Sequence, residues 1–154
     1  MRRASFALLL GSPLVAGCAG EPSLTSSTPV VATTSDASAA AALISEYRAA
    51  KGLPRVTVDQ TLNRAAEYQA REVAAAGALS HGAFESRMAS FDVKAPSAEN
   101  LSAGARSVED VIARWKRSPA HNENLLLPEG LRIGFARAAA GTRYGNYWAL
   151  VISR

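Results

Sequence analysis

Two β-rich runs close the chain after a long region with helical spacing, and this order constrains the fold more than any other feature. The runs are "LRIGFARA" and "YGNYWALVIS", and the Ala-Gly-Thr loop between them suits a hairpin. Several helices followed by paired strands indicate a layered α+β domain and argue against alternating βαβ units. A chain of 154 residues has room for one such domain.

The helical region begins with two segments that carry their own capping residues. The first helix starts at Ser38 and stops at Gly52, a residue suited to a left-handed cap. A short extended "VTVD" then leads to Asp59, which can cap a long helix that runs to Gly77. Residues 84–91 predict one or two further helical turns.

Two shorter helices precede the strands. An irregular stretch around Pro96 leads to Ser107, which forms a capping-box pattern with Asp110. The apolar face of the helix that follows ends at Trp115, which we expect to pack on the sheet. Ser118 begins a new short helix with a proline at its first position.

The N-terminal residues have the layout of an export signal. Residues 1–17 start with two arginines after the first methionine, continue through an apolar stretch and end on small residues. The "VAGC" that closes on Cys18 resembles the lipobox of bacterial lipoproteins, which implies a lipid on this cysteine. An ordinary signal peptide with an incidental cysteine is the alternative. The sequence thus predicts a removed signal (1–17), a lipidated cysteine with a flexible tether (18–37) and a folded domain (38–154).

Charge and cysteine content exclude two classes of protein. Cys18 is the only cysteine, so the domain cannot be stapled by internal disulfides. Removing residues 1–17 takes away two arginines and no acid, which lowers the formal charge from +4 to +2. The remaining basic residues form no block or stripe, so we expect no nucleic-acid partner. We expect a monomer.

Six short motifs occur in the order typical of one protein family. They are "YRAAKGLPRVTVDQTLNRAAEYQA", "GALSHG", "SAENLSAG", "VIARWKRSPAHNENLL", "RIGFA" and "YWALVIS". Together they resemble the CAP superfamily (cysteine-rich secretory proteins, antigen 5 and pathogenesis-related proteins) in its short bacterial form, over about 110 of the 154 residues. The resemblance implies the CAP/SCP fold, a three-layer α-β-α sandwich with a central antiparallel sheet.

The resemblance also implies one surface cleft in which His81, Glu99 and His121 converge. Many members add a second glutamate where this chain has Ser118, and its absence weakens any role that needs two carboxylates. Two imidazoles and a carboxylate suit Zn²⁺, or a more weakly held ion such as Mg²⁺. Their separations of 18 and 22 residues are not diagnostic, so a metal is implied by the family alone.

Each of the three residues also has a structural alternative. We expect His121 to be neutral in the first turn after Ser118, because the helix dipole disfavours imidazolium there. A neutral ring can bind a metal, accept a proton or tie down a loop. His81 could cap the long helix, and Glu99 could hold an irregular loop through backbone N–H groups. Asn100 is expected to bond within its own turn.

Three functions remain open, because a fold does not fix an activity. The first is an envelope-anchored, non-catalytic lipoprotein whose cleft binds a divalent metal or a small or lipidic ligand. The second is a metal-dependent hydrolase, either a peptidase or a cell-wall enzyme, with Glu99 as ligand or base. The third is a protein-interaction module of the envelope. Ala19, directly after Cys18, favours the periplasmic side of an outer membrane if the host is Gram-negative.

Overall fold

The structure is a computed structural model that describes residues 29–154. The described chain contains five helices and five strands in the order β1 (Val31–Thr33), α1 (Ala37–Ala49), β2 (Thr57–Val58), α2 (Gln60–Ala76), α3 (Phe84–Ser90), β3 (Ser97–Ala103), α4 (Val108–Arg117), α5 (Pro119–Leu125), β4 (Arg132–Ala139) and β5 (Asn146–Ser153). The predicted signal peptide and the predicted lipidation at Cys18 lie outside the described residues.

A single mixed sheet forms the middle of the molecule. Its strands are ordered β1-β4-β5-β3, and each neighbouring pair is antiparallel. The predicted hairpin is confirmed, since β4 and β5 pair from Arg132 opposite Ser153 to Ala139 opposite Asn146. The two-residue strand β2 runs parallel to β4 and is the exception to the expected antiparallel sheet.

Helices cover both faces of the sheet. One face packs against α1, α4 and α5 through a cluster that includes Trp115, Phe135 and Trp148. The opposite face packs against α2 and α3 through a cluster that includes Leu62 and Tyr147. The expected three-layer α-β-α sandwich is therefore confirmed.

The helix α2 lies unusually close to β4, and this approach fixes one wall of the molecule. A Cβ atom at Gly134 would overlap the backbone of Leu62, so only glycine fits there. The side chain of Asn63 accepts a hydrogen bond from the backbone N–H of Phe135. The cap residues at both ends of α2 are as predicted: Asp59 accepts from the N–H of Leu62, and the helix ends at a glycine in the left-handed region.

Two segments differ from the sequence-based predictions. The tether assigned to residues 18–37 extends too far, because Val31–Thr33 pair with β4 and α1 already begins at Ala37. The run Val-Ala-Thr, set among serines, threonines and prolines, is too short to show as a strand in the local composition. The stretch after Pro96 is not irregular but forms β3, which pairs along its whole length with β5. The polar residues of β3 made the strand hard to recognise from the sequence. They are compatible with its place at the edge of the sheet, because β3 has a strand neighbour on one side only in the described chain.

No helix within residues 29–154 is long and apolar enough to cross a membrane.

Candidate functional site

The carboxylate of Glu99 is buried on β3 and both of its oxygens are engaged. Its side chain is 1% exposed. One oxygen lies 2.8 Å from Nδ1 of His81, and the other accepts from a guanidinium nitrogen of Arg87. A buried carboxylate needs such partners, because an unpaired charge away from water is costly. We call these three side chains the His–Glu–Arg cluster.

The ring of His81 sits at the surface, on the loop that joins α2 to α3. Its side chain is 54% exposed, and Arg87 donates a hydrogen bond to its carbonyl oxygen. The neighbouring carbonyl of Ser80 accepts from Gln69 on α2, which holds the loop against the helix. Because an ionised carboxylate only accepts, Nδ1 carries a proton, and in the neutral ring Nε2 is left with a free lone pair. The structural alternative for His81, a cap on the end of α2, is not observed, because its ring bonds Glu99 instead.

His121 lies in the first turn of α5, beside the His–Glu–Arg cluster. Burial lowers the pKa of its imidazole below the usual value, and the charge of His81 lowers this pKa further. The ring is therefore neutral near pH 7, as the sequence predicts, although burial rather than the helix dipole is the main cause. Ser118 is the N-cap of α5, but its side chain makes no capping hydrogen bond.

Two asparagines fasten the backbone of α5 to β3. Asn100 donates to the carbonyl of His121 across 2.9 Å, and its own side-chain oxygen accepts from Asn124. Asn124 also donates to the carbonyl of Glu99. The prediction that Asn100 bonds within its own turn is wrong, because β3 is a strand and presents this side chain to the neighbouring helix. The network fixes the position of His121 relative to Glu99.

Arg87 is the site residue that sequence reasoning missed. Its side chain is 9% exposed, and two of its nitrogens donate to Glu99 and to the carbonyl of His81. Its Nε is buried and has no hydrogen-bond partner. The available signal was a basic residue midway along a seven-residue helix between the segments that carry His81 and Glu99. Nothing in the local spacing distinguishes it from the surface arginines.

The arrangement does not fit a three-ligand metal centre. Within residues 29–154, no group of three His, Cys, Asp or Glu side chains is arranged to hold a metal ion. Both oxygens of Glu99 already accept hydrogen bonds, one from a protonated ring nitrogen and one from a guanidinium. Glu99 therefore orients the ring of His81 and is not free to be a metal ligand itself. Of the three predicted metal ligands, only the imidazoles of His81 and His121 are left to bind an ion.

Comparison with known proteins agrees with this fold. The model of the CAP family, described as the cysteine-rich secretory protein family, matches residues 41–152. The chain belongs to this family. A curated relative, the uncharacterized protein YkwD of Bacillus subtilis (strain 168), is 26% identical over 106 residues. That match covers 65% of this chain and 41% of YkwD, so the chain spans less than half of its relative's length.

Solved structures of CAP proteins share the fold at low sequence identity. An outer surface protein from Borrelia burgdorferi superposes with a TM-score of 0.72 and 21% identity, over 82% of this chain and 98% of its own. An extracellular protein containing an SCP domain from Bacillus anthracis str. Ames gives a TM-score of 0.66 and 20% identity, over 76% of this chain and 39% of its own. Identities this low establish the fold alone.

Proposed function

We propose that this protein is an exported, membrane-anchored CAP-domain lipoprotein that binds a small or lipidic ligand without turning it over. The observation that carries the proposal is the state of Glu99, whose two oxygens are both occupied inside the protein. The His–Glu–Arg cluster is held by internal hydrogen bonds, and the carboxylate of Glu99 is 1% exposed, so a substrate cannot reach it.

Two features support the location. The Borrelia burgdorferi structure is that of an outer surface protein and the Bacillus anthracis structure is that of an extracellular protein, and both share this fold. The "VAGC" sequence places a cysteine where bacterial lipoproteins are modified, so Cys18 would carry the lipid and the membrane would be a constant partner. The site faces the periplasm on the outer membrane if the host is Gram-negative.

The absence of turnover follows from the requirements of general base catalysis. A base must accept a proton from the reacting group, at hydrogen-bond distance, and must not be held by a stronger donor. Glu99 fails this test because the Arg87 guanidinium and the Nδ1 proton of His81 already occupy its oxygens. Ser118 supplies a hydroxyl where a second carboxylate would be needed, which leaves the cleft without that spare base.

Calorimetry on the purified mature protein tests the proposal. We expect saturable binding of single-chain lipid, and loss of at least tenfold in affinity in a His81→Ala, His121→Ala double variant. A Glu123→Ala variant, changed at an exposed position on α5, is the matched control and should bind like the parent. Zn²⁺ and Mg²⁺ are titrated separately, since a divalent ion held by the two imidazoles is the other ligand that this cleft could take. Failure of all three probes to bind would contradict the proposal.

A metal-dependent hydrolase is the second candidate, favoured by the neutral ring of His121. Neutral imidazole can accept a proton, and burial lowers the pKa of His121, which keeps the ring unprotonated near pH 7. Chelator-sensitive cleavage of peptide or peptidoglycan, abolished in a Glu99→Gln variant, would replace the binding proposal with this one. Cross-linking to an envelope protein that is unchanged in both histidine variants would instead favour an interaction module.

A further inference from the structure

The described chain begins at one end of the sheet, beside the loop that joins β4 to β5. Pro29 precedes β1, whose Val31 pairs with Ala139 at the end of β4. The loop of residues 140–145 follows directly and leads to β5. Pro29 and Val31 line a shallow hollow of about 240 Å³ beside this loop. We call this part of the surface the hairpin end, and define it as residues 29–31, 104–106 and 140–145.

The exposed side chains of the hairpin end are apolar, aromatic and basic. Val31 is 66% exposed and Tyr144 is 44% exposed. The guanidinium of Arg143 lies 5.4 Å from the centre of the Tyr144 ring. Arg106 follows Gly104, whose backbone borders that ring. No salt bridge of the described chain includes either arginine, so both charges are available to an anion outside the protein.

The acids near the hairpin end leave it with a positive balance. Asp36 and Asp110 are both paired with arginines. The exposed Glu109 in the first turn of α4 is then the counter-charge to Arg106 and Arg143. Tyrosine and aliphatic side chains suit the boundary between lipid headgroups and acyl chains, and basic side chains beside them are attracted to anionic headgroups. The chemistry of this surface therefore fits an anionic membrane.

The position of Cys18 indicates which partner the hairpin end meets. Eleven residue steps separate Cys18 from Pro29, and even a fully extended chain of this length spans at most about 40 Å. A domain of this size is about 35 Å across. If Cys18 carries a lipid, the hairpin end is the part of the domain nearest to the membrane. The opposite end of the sheet could reach the bilayer only with those residues stretched along the whole domain.

We infer that the hairpin end docks on the anionic phospholipid surface of the membrane that anchors the chain. Val31 and Tyr144 lie at the headgroup boundary, and Arg106 and Arg143 contact the lipid phosphates. The inference deepens the proposed function and rests on its lipid anchor, because it names the face of the domain that meets the membrane. The start of β4, at the other end of the sheet, then points away from the bilayer.

Tryptophan probes on the acylated protein test the inference. The protein is reconstituted into vesicles of phosphatidylcholine and phosphatidylglycerol that contain a brominated phospholipid, which quenches fluorescence on close contact. Trp115 and Trp148 are buried and supply the background. Tyr144→Trp and Val31→Trp should be quenched beyond that background. Leu131→Trp should not, since this position is similarly exposed, at 45%, but lies at the start of β4. Equal quenching of all three probes, or of none, would overturn the inference.

Charge reversal tests the contact with anionic headgroups. In the Tyr144→Trp protein, Arg143→Glu should lower the quenching about twofold or more, because it replaces an attraction to the lipid phosphates with a repulsion. Arg55→Glu gives the matched control and should leave the quenching unchanged, since Arg55 is an exposed residue just before β2, which pairs with the start of β4. Quenching that Arg143→Glu does not change would overturn the assignment of an anionic partner.

Mass spectrometry of the protein purified from membranes separates a failure of the inference from a failure of the proposed function. Protein without an acyl group on Cys18 would overturn the anchored location and the inference together. Acylated protein in which the Tyr144→Trp and Leu131→Trp probes respond alike would overturn the inference and leave the proposed function standing.

Discussion

Arg48 is a fully buried cation whose partners are main-chain carbonyl groups. Its Nε donates to Pro54, one terminal nitrogen donates to Leu125 and Leu127, and the other donates to Gly130. Burial lowers the pKa of this guanidinium, because desolvation penalises the charged form. The fork of an arginine can still serve four acceptors at once, which joins α1 to the segment between α5 and β4.

We expect Arg48→Met to lower the free energy of unfolding by about 3–5 kcal/mol, since it leaves four carbonyl groups without their donors. Arg48→Lys should recover only part of this loss, because an ammonium cannot span the same acceptors. The exposed Arg64 on α2 gives a matched control, whose change to Met should stay within about 0.5 kcal/mol. Urea unfolding followed by circular dichroism measures all three, and an Arg48→Met midpoint near that of the parent would contradict the assigned role.

His121 should titrate below pH 6.5, the ordinary value for histidine, because burial and the charge of His81 both disfavour imidazolium. The folded-state pKa is the lower one, so as pH falls from 6.5 the unfolded chain takes up this proton first. The contribution of His121 to the free energy of unfolding is therefore fully present above pH 6.5, and it declines as the pH drops toward the folded-state pKa. An NMR titration of the ring protons measures the folded-state pKa of His121.

His81→Ala provides the internal comparison for that titration. Removing the second imidazole takes away the smaller cause of the shift and leaves burial in place. The titration midpoint of His121 should therefore rise in this variant but remain below 6.5. A midpoint above 6.5 in the parent protein would show that the ring is more solvated than its position in α5 implies.

At the scale of the elements, the N-terminus of α2 combines a helix cap with an ion pair. Asp59 accepts from the backbone N–H of Leu62 at 2.9 Å and from Arg132 of β4 at 3.0 Å. Desolvation alone would raise the pKa of this carboxyl, but the backbone hydrogen bonds and Arg132 outweigh it and lower the pKa below 3.8. The cap therefore ties the start of α2 to the sheet.

Asp59→Ala should destabilise the protein by about 1–2 kcal/mol at pH 7, the usual cost of losing an N-cap. Because the folded-state pKa is depressed, this stabilisation is present above pH 3.8 and disappears as the pH falls through the lower folded value. Asp59→Asn keeps an acceptor for the helix but cannot titrate, so it should lose less stability and flatten the pH dependence. Urea titrations at pH 7 and at pH 3 compare the unfolding free energies of the three proteins. If the parent and Asp59→Ala differ by the same amount at both pH values, the stabilisation does not depend on ionisation of Asp59.

Elements that carry their own caps were predictable, and those defined by distant partners were not. The caps of α2 at Asp59 and Gly77, and the Ser107 cap of α4, are local signals and are confirmed. The reciprocal bond of the capping box is displaced by one residue, because Asp110 accepts from the N–H of Arg106. In contrast, β1 and β3 exist because β4 and β5 lie beside them, and no residue within either strand records that neighbour. The same reasoning applies to the cluster, where Arg87 meets Glu99 only through the packing of α3.

At the scale of the whole molecule, one sheet serves two apolar clusters. Along β5, Trp148 and Leu150 enter the cluster beneath α1, α4 and α5, while Tyr147 and Val151 enter the cluster beneath α2 and α3. Each cluster therefore uses alternate side chains of the same strand. If one cluster unfolded and the strands separated, the side chains of the other cluster would be exposed to water. We therefore expect both clusters to unfold together.

The two tryptophans make this coupling measurable, because Trp115 and Trp148 both belong to the first cluster. Leu62→Ala removes a buried side chain from the second cluster and should cost about 2–5 kcal/mol. If the clusters share one transition, the urea midpoint from tryptophan fluorescence falls by the same amount as the midpoint from circular dichroism, although the lost methyl groups belong to the other cluster. Leu79→Ala, at a position that is 48% exposed, should move neither midpoint. A fluorescence midpoint that stays in place while the other falls would mean that the α2 face unfolds by itself, and the sheet would then divide the domain rather than join it.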